Sequence, residues 1–150
     1  YDPRVIEVTG VSMMTSAQGA DHTAGNDPAF QCKDKSTKEI VAASLEMQTI
    51  IASVDSLGLC IFGRGVTIEH KEFLVNALND AHGTDFDEAF FMELGLETLR
   101  LEWKFNKLAG FTVEDDELPE FFFEEPLPPS NNVQRHRAAD VQVALLELLD

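Results

Sequence analysis

An all-α fold, multihelical and without a significant sheet, is what the sequence predicts. Three observations carry that expectation. Apolar residues recur at helical spacing in four separate stretches, glycines or capping residues punctuate those stretches, and alternating strand-like segments are nearly absent.

The first 35 residues carry glycines at 10, 19 and 25 and a short apolar cluster at Val11, Met13 and Met14. They read as a loop, a short helix around 10 to 18, and an irregular segment holding Asp21 and His22. On the residues alone, Asp21 is a turn former and His22 a surface ring. The other reading is that the flanking glycines let the backbone bring an imidazole close to a ligand.

Ser36-Thr37-Lys38-Glu39 has the form of a capping box and should start the central helix. Ile40, Ala43, Met47, Ile50 and Val54 put one stripe on that helix. Val41, Leu45, Ile51 and Ala52 widen it until little polar face remains, which predicts a helix in the middle of the domain. Gly58 should end it, because glycine takes the left-handed C-terminal conformation without steric cost. Asp55 then falls in the last turn, where the negative end of the helix dipole disfavours a carboxylate by a few tenths to ~1 kcal/mol. That placement points to an outside partner. Cys60 follows in the apolar run Leu59-Cys60-Ile61, and its local reading is a buried, inert small residue.

Thr67 is expected to cap the next helix, with Leu74, Ala77, Leu78 and Ala81 inward and Gly83 at its end. Glu69, His70 and Glu72 on its first turn read as a solvated face. Thr84 should cap a long helix of ~26 residues, ~39 Å at 1.5 Å per residue, closed by Gly110. Asp85, Asp87 and Glu88 near its start and Arg100, Lys104 and Lys107 near its end match the dipole. Phe90, Leu94, Leu101, Phe105 and Leu108 form its expected buried stripe, with Trp103 beside it in the core. From Phe111 to Asn132 the chain is acidic, aromatic and proline-rich. Such proline density predicts an extended arm without helix. Phe121-Phe122-Phe123 should pin that arm to the body, to a neighbouring domain, or to a second subunit in a homo-oligomer. Val141, Leu145 and Leu148 return to helical spacing in Ala138 to Asp150.

A chain of 150 residues with 44% hydrophobic residues and eleven Phe suits one domain that buries about 70% of its accessible surface. The formal charge of −16, from 11 Lys+Arg against 27 Asp+Glu, disfavours nucleic acid and anionic membrane surfaces. No secretory signal or membrane-length apolar run is present, so a cytoplasmic location is expected. Cys32, between Gln31 and Lys33, reads as an exposed loop thiol, and both cysteines read as reduced. The start at Tyr1, without Met, suggests a piece of a longer polypeptide.

Several stretches together resemble the C-terminal part of the tungsten-containing aldehyde:ferredoxin oxidoreductase family. They are Tyr1-Asp2-Pro3-Arg4, Thr15-Ser16 with Gly19-Ala20-Asp21-His22, Asp55-Ser56-Leu57-Gly58-Leu59-Cys60, and Asn106-Lys107-Leu108-Ala109-Gly110-Phe111-Thr112 running on to Glu124-Glu125-Pro126-Leu127-Pro128. The resemblance implies that residues 1 to 150 form the C-terminal helical domain of such an enzyme. It further implies a tungsten or molybdenum bis-pterin beside one [4Fe-4S] cluster, with aldehydes oxidised to carboxylic acids and ferredoxin accepting the electrons. In the family's Asp-x-x-Gly-Leu-Cys loop, Asp55, Gly58, Leu59 and Cys60 would face a pterin, Asp55 accepting its N–H groups. Cys60 would be a cluster ligand, and His22 would lie near metal and substrate. Gln18 stands where the family more often has Arg. The other three cluster cysteines and the N-terminal pterin-binding region do not occur in these residues, so the partner expected first is the protein's own N-terminal domain. The isolated 150 residues are expected to fold, to be inactive, and to retain neither cluster nor pterin. The alternative, from another class, is a non-catalytic acidic helical interaction module using Phe121 to Phe123 as its binding arm.

Overall fold

Helix α2 (Thr37–Ser56) is the axis of the computed structural model, which describes residues 1–149 except for the side chain of Arg64. Around α2 pack α1 (Glu7–Thr15), α5 (Ala89–Ala109) and α7 (Ala138–Leu149). Two short helices, α3 (Arg64–Glu69) and α4 (Lys71–His82), follow the end of α2, and the one-turn α6 (Phe121–Glu124) precedes α7. Asp150, expected in the last helix, lies outside the described residues. Among the described residues there is no strand, only an isolated bridge between Leu127 and Asn132, so the all-α expectation holds. No described helix is long and apolar enough to cross a membrane.

The predicted cap of α2 is present. Glu39 N donates to Ser36 Oγ (3.3 Å) and Ser36 N donates to Glu39 Oε2 (2.9 Å), while Lys35 Nζ donates to Glu39 Oε1 (2.8 Å). The Lys35 ammonium first, then the Ser36 amide and hydroxyl, hold the Glu39 carboxyl down to about 2, from an ordinary 4.5. A carboxyl depressed in the folded state stabilises above its unfolded value, and the benefit is lost as pH falls from 4.5 towards 2. Ser36→Ala should cost about 1 kcal/mol in urea unfolding at pH 7 and raise the Glu39 pKa measured by NMR. An unmoved Glu39 titration in that variant would exclude the capping box.

The interior of α2 is more polar than its apolar stripe suggests. Ser44, Gln48, Thr49 and Ser53 are all buried. Ser12 on α1 shares a hydrogen bond with Ser44 Oγ (2.7 Å), and Gln48 Nε2 donates to Thr15 Oγ1 (2.8 Å) and Ser44 Oγ (3.0 Å). Short side chains let α1 and α2 approach closely, and the hydroxyls satisfy one another in the gap. α1 starts at Glu7, three residues before the expected helix, and Trp103 is half-buried with Nε1 donating to Thr15 O (2.7 Å) at the end of α1.

Two helical expectations fail. Thr67 is not at a helix start, because it is buried within α3, and the backbone leaves helical geometry at His70 (φ −128, ψ 49), which divides the stretch in two. α5 begins at Ala89 rather than after Thr84, since Asn79 Oδ1 accepts from Thr84 Oγ1 (2.8 Å) and Phe86 N (2.9 Å) and holds that segment as a loop. Gly83 and Gly110 do end their helices in the left-handed conformation.

The buried face of α5 is also not the expected one. Phe91, Gly95 and Leu99 face α2, while Leu101, Phe105 and Leu108 are 57%, 70% and 79% exposed. Gly95 decides this, because it lies against the α2 backbone at Thr49. At 100° per residue, Leu108 then falls about 220° round the helix from that contact.

The segment 111 to 132 is partly helical, contrary to expectation. A 3-10 turn spans Val113–Asp116, and α6 fits between Pro119 and Pro126, where a single turn loses no internal hydrogen bond to either proline. Phe122 and Phe123 pack against the core formed by α1, α2 and α7, as the arm expectation requires. The Arg137 guanidinium lies 3.6 Å over the Phe123 ring and pairs with Glu120, while Arg4 Nη1 donates to Glu125 O (2.8 Å).

Candidate functional site

The end of α2 builds the predicted turn. Gly58 adopts φ +67, with its N–H donating to Asp55 O (3.0 Å) and the Leu59 N–H to Val54 O (2.9 Å). A Cβ on Gly58 would meet nothing within 4 Å, so glycine is required by the turn and the space in front of it is open. Leu57 and Leu59 anchor the turn against the smaller core of Ile50, Val54 and Phe91.

On that anchored turn the two chemically distinctive side chains point away from the body. The Asp55 carboxylate is exposed and makes no hydrogen bond or ion pair with any described residue. Cys60 is an exposed free thiol, which corrects the local reading of a buried, inert residue. The apolar neighbours misled because Leu59 turns inward and leaves Cys60 on the outer side of the turn. Cys32 is the reverse case. It is half-buried against the main core, and burial above all pushes its thiol pKa up.

His22 sits on the segment that Gly25 presses onto α2. Gly25 takes φ +72 and its carbonyl accepts from Ser12 Oγ (2.6 Å), and a Cβ there would lie 2.9 Å from Ser44 Oγ. Asp21 Oδ1 accepts from Thr23 N (2.6 Å) and Thr23 Oγ1 (2.7 Å), the turn former expected of it. The His22 ring is exposed and lines a cleft of about 640 Å³ with Tyr1, Asn26, Ile61, Phe62 and Glu69. His22 therefore shares a cleft with the residues that follow Cys60. Asp55 lines a different, smaller cleft with Gln48 and Glu102, so the three singled-out residues do not converge in one pocket.

Glu102 was not singled out from the sequence. Burial first, and the Asp55 charge second, hold its carboxyl above the usual range. Its place midway along an amphipathic helix carries no signal of that neighbour.

A family model described as aldehyde ferredoxin oxidoreductase, domains 2 & 3, matches residues 1–150. The chain belongs to the aldehyde ferredoxin oxidoreductase family. It is 32% identical over 143 residues to the tungsten-containing aldehyde ferredoxin oxidoreductase of Pyrococcus furiosus, covering 88% of this chain and 23% of that protein. The proteins of the same name from Pyrococcus horikoshii and Thermococcus kodakarensis are 30% and 29% identical over 145 and 142 residues, with the same coverage of both chains. The chain thus spans about a quarter of the length of these relatives. No solved structure gives a significant match.

Within this family the α2 turn can be tested for fit. An exposed carboxylate without a partner suits N–H donors of a pterin, and an exposed thiol suits one iron of a cluster. Among the described residues no group of three or more His, Cys, Asp or Glu is placed to hold a metal ion. The turn thus offers one exposed thiol and one exposed carboxylate, a donor set compatible with one wall of such a site.

Proposed function

We propose that residues 1 to 150 form the C-terminal helical part of an oxidoreductase that holds a tungsten or molybdenum bis-pterin and a [4Fe-4S] cluster and oxidises aldehydes to carboxylic acids, with ferredoxin as acceptor. The observation that carries the reading is the turn at the end of α2, where a chain of this family presents Asp55 and Cys60 outward, unpartnered, on either side of Gly58. Asp55 would accept hydrogen bonds from pterin N–H groups. Cys60, as thiolate, would ligate one iron. When bound, these groups supply the two-electron oxidation and the onward path for electrons. His22 borders the cleft next to the Cys60 turn, exposed and with no ring hydrogen bond to a described residue. Its imidazole would orient the aldehyde oxygen or move a proton.

The interaction-module reading draws less support, because Phe122 and Phe123 pack on the core and Phe121 alone of the three is exposed, at 42%.

In the full-length protein, His22→Ala should leave metal and iron content intact while lowering turnover by roughly 10²-fold or more. Metal analysis beside steady-state rates tests this. Loss of metal with unchanged turnover per remaining metal would remove His22 from the reaction.

A further inference from the structure

The chain enters α7 through a strap, residues 133 to 137, that is tied to α6, α1 and α2 in turn. Gln134 is 2% exposed, its N–H donates to Phe122 O (2.8 Å), and its Oε1 accepts from the N–H groups of Arg135 (2.7 Å) and His136 (3.3 Å). Its Nε2 donates to Glu7 O (3.4 Å) on α1. His136 follows and is 6% exposed. Its Nδ1 shares a 3.1 Å hydrogen bond with Thr37 Oγ1, on the first residue of α2. Its Nε2 is buried and has no hydrogen-bond partner among the described residues.

A neutral ring suits this place, and an imidazolium does not. In either neutral tautomer Nδ1 can bond the Thr37 hydroxyl, which donates or accepts, and only one uncharged nitrogen is left unmet. Protonation turns both nitrogens into donors, so Nε2–H becomes a buried, charged N–H with nothing to receive it. Two helix ends oppose the charge as well. His136 touches the N-terminus of α2 at Thr37 and stands two residues before Ala138 opens α7, and both ends carry partial positive charge. Three charged groups lie around the ring. Arg135 is positive, Glu7 on α1 is already gripped by the Arg135 fork at 2.6 Å to each oxygen, and Asp140 in the first turn of α7 is exposed to solvent. Burial is the leading influence and pushes the imidazole down from its ordinary 6.5.

We propose that His136 is a pH-sensitive latch, which in its neutral form holds the strap and the start of α7 on α2 and on protonation lets α7 lift from α1 and α2. Val141 and Leu145 of α7 lie in the main core with Val11, Ile40 and Val41, so release bares apolar surface. The released chain binds the proton more readily than the closed one, so the latch is fully closed above 6.5 and weakens as pH falls below it. The carboxyls of Glu39 and Glu120, held down by their partners, lose their contribution only below an ordinary 4.5. Asp116, which accepts from Gln142 Nε2 (3.3 Å) on α7, has the opposite sign, because burial first and Asp115 second hold its carboxyl up and acid then favours the folded state. A weakening of α7 that begins below 6.5 therefore belongs to His136.

The experiment follows backbone amide exchange by NMR in the 150-residue chain at about pH 7.5 and about pH 5.3, corrected for the intrinsic pH dependence of exchange, together with the titration of the His136 ring. Protection of the α7 amides should fall by about tenfold or more at the lower pH, while amides in the middle of α2 change less. The His136 ring should titrate below its ordinary 6.5. His136→Gln, which keeps a polar group but takes up no proton, should remove the pH dependence of α7 protection, and His82→Gln, at an exposed position on α4, should keep it. Equal α7 protection at the two pH values overturns the proposal, as does a pH dependence that survives His136→Gln. A His136 ring that titrates at or above 6.5 overturns it as well, and that measurement on the unaltered chain decides the matter even if His136→Gln does not fold.

Discussion

Replacing Gly95 with alanine is expected to lower the stability of the fold by about 2 kcal/mol and its melting temperature by roughly 6 °C. In an exposed helix the same change would stabilise by up to ~1 kcal/mol, because alanine loses less backbone entropy than glycine. Here the sign reverses. A Cβ at Gly95 would overlap Thr49 O and Ser53 Oγ and lie 2.9 Å from Thr49 C. Thr49 is backbone in the middle of α2, so it can yield only if the two helices part. Parting would also break the hydrogen bond from Ser53 Oγ to Phe91 O and open the small core of Ile50, Val54 and Phe91. Gly63→Ala is the control, since nothing lies within 4 Å of a Cβ there. Thermal melts of the two variants decide the matter. Equal melting temperatures would mean that α5 does not rest on Gly95.

If Cys60 ligates the cluster as proposed, Cys60→Ser in the full-length protein is expected to abolish the normal [4Fe-4S] EPR signal and to damage electron transfer far more than substrate binding, because the cluster and not the substrate would lose a ligand. The same substitution in the 150-residue chain should shift stability by less than ~0.5 kcal/mol, since the side chain is exposed. That pairing separates a ligand role from a structural one. Cys32→Ser should behave oppositely, lowering stability through its contact with the main core while leaving iron content unchanged. A cluster signal that survives Cys60→Ser would remove Cys60 from the cofactor site.

The helix ends were the most legible part of the chain. Ser36 and Glu39, three residues apart, specify their own mutual hydrogen bonds, and Gly58, Gly83 and Gly110 end helices through a backbone conformation that needs no distant partner. The outward turn of Asp55 after an apolar helix was legible for the same reason, because its conflict with the helix dipole lies within one turn. Thr84 marks the limit of such local reasoning, since its hydroxyl donates to Asn79 Oδ1 instead of capping a helix.

What the chain determined by itself, then, was that it would be helical, where most helices would stop, and that the α2 turn would carry a carboxylate and a thiol. Which face of each helix became interior was decided only by tertiary structure. α5 is apolar at Phe90, Phe91, Leu94, Leu99, Leu101, Phe105 and Leu108, so its periodicity admits more than one buried stripe, and the close approach of α2 to Gly95 selects among them. The exposure of Cys60, the partial burial of Cys32 and the nearness of the Asp55 charge to Glu102 follow from how the helices pack. Burial and the field of a neighbouring charge act through space, between residues that the sequence keeps far apart.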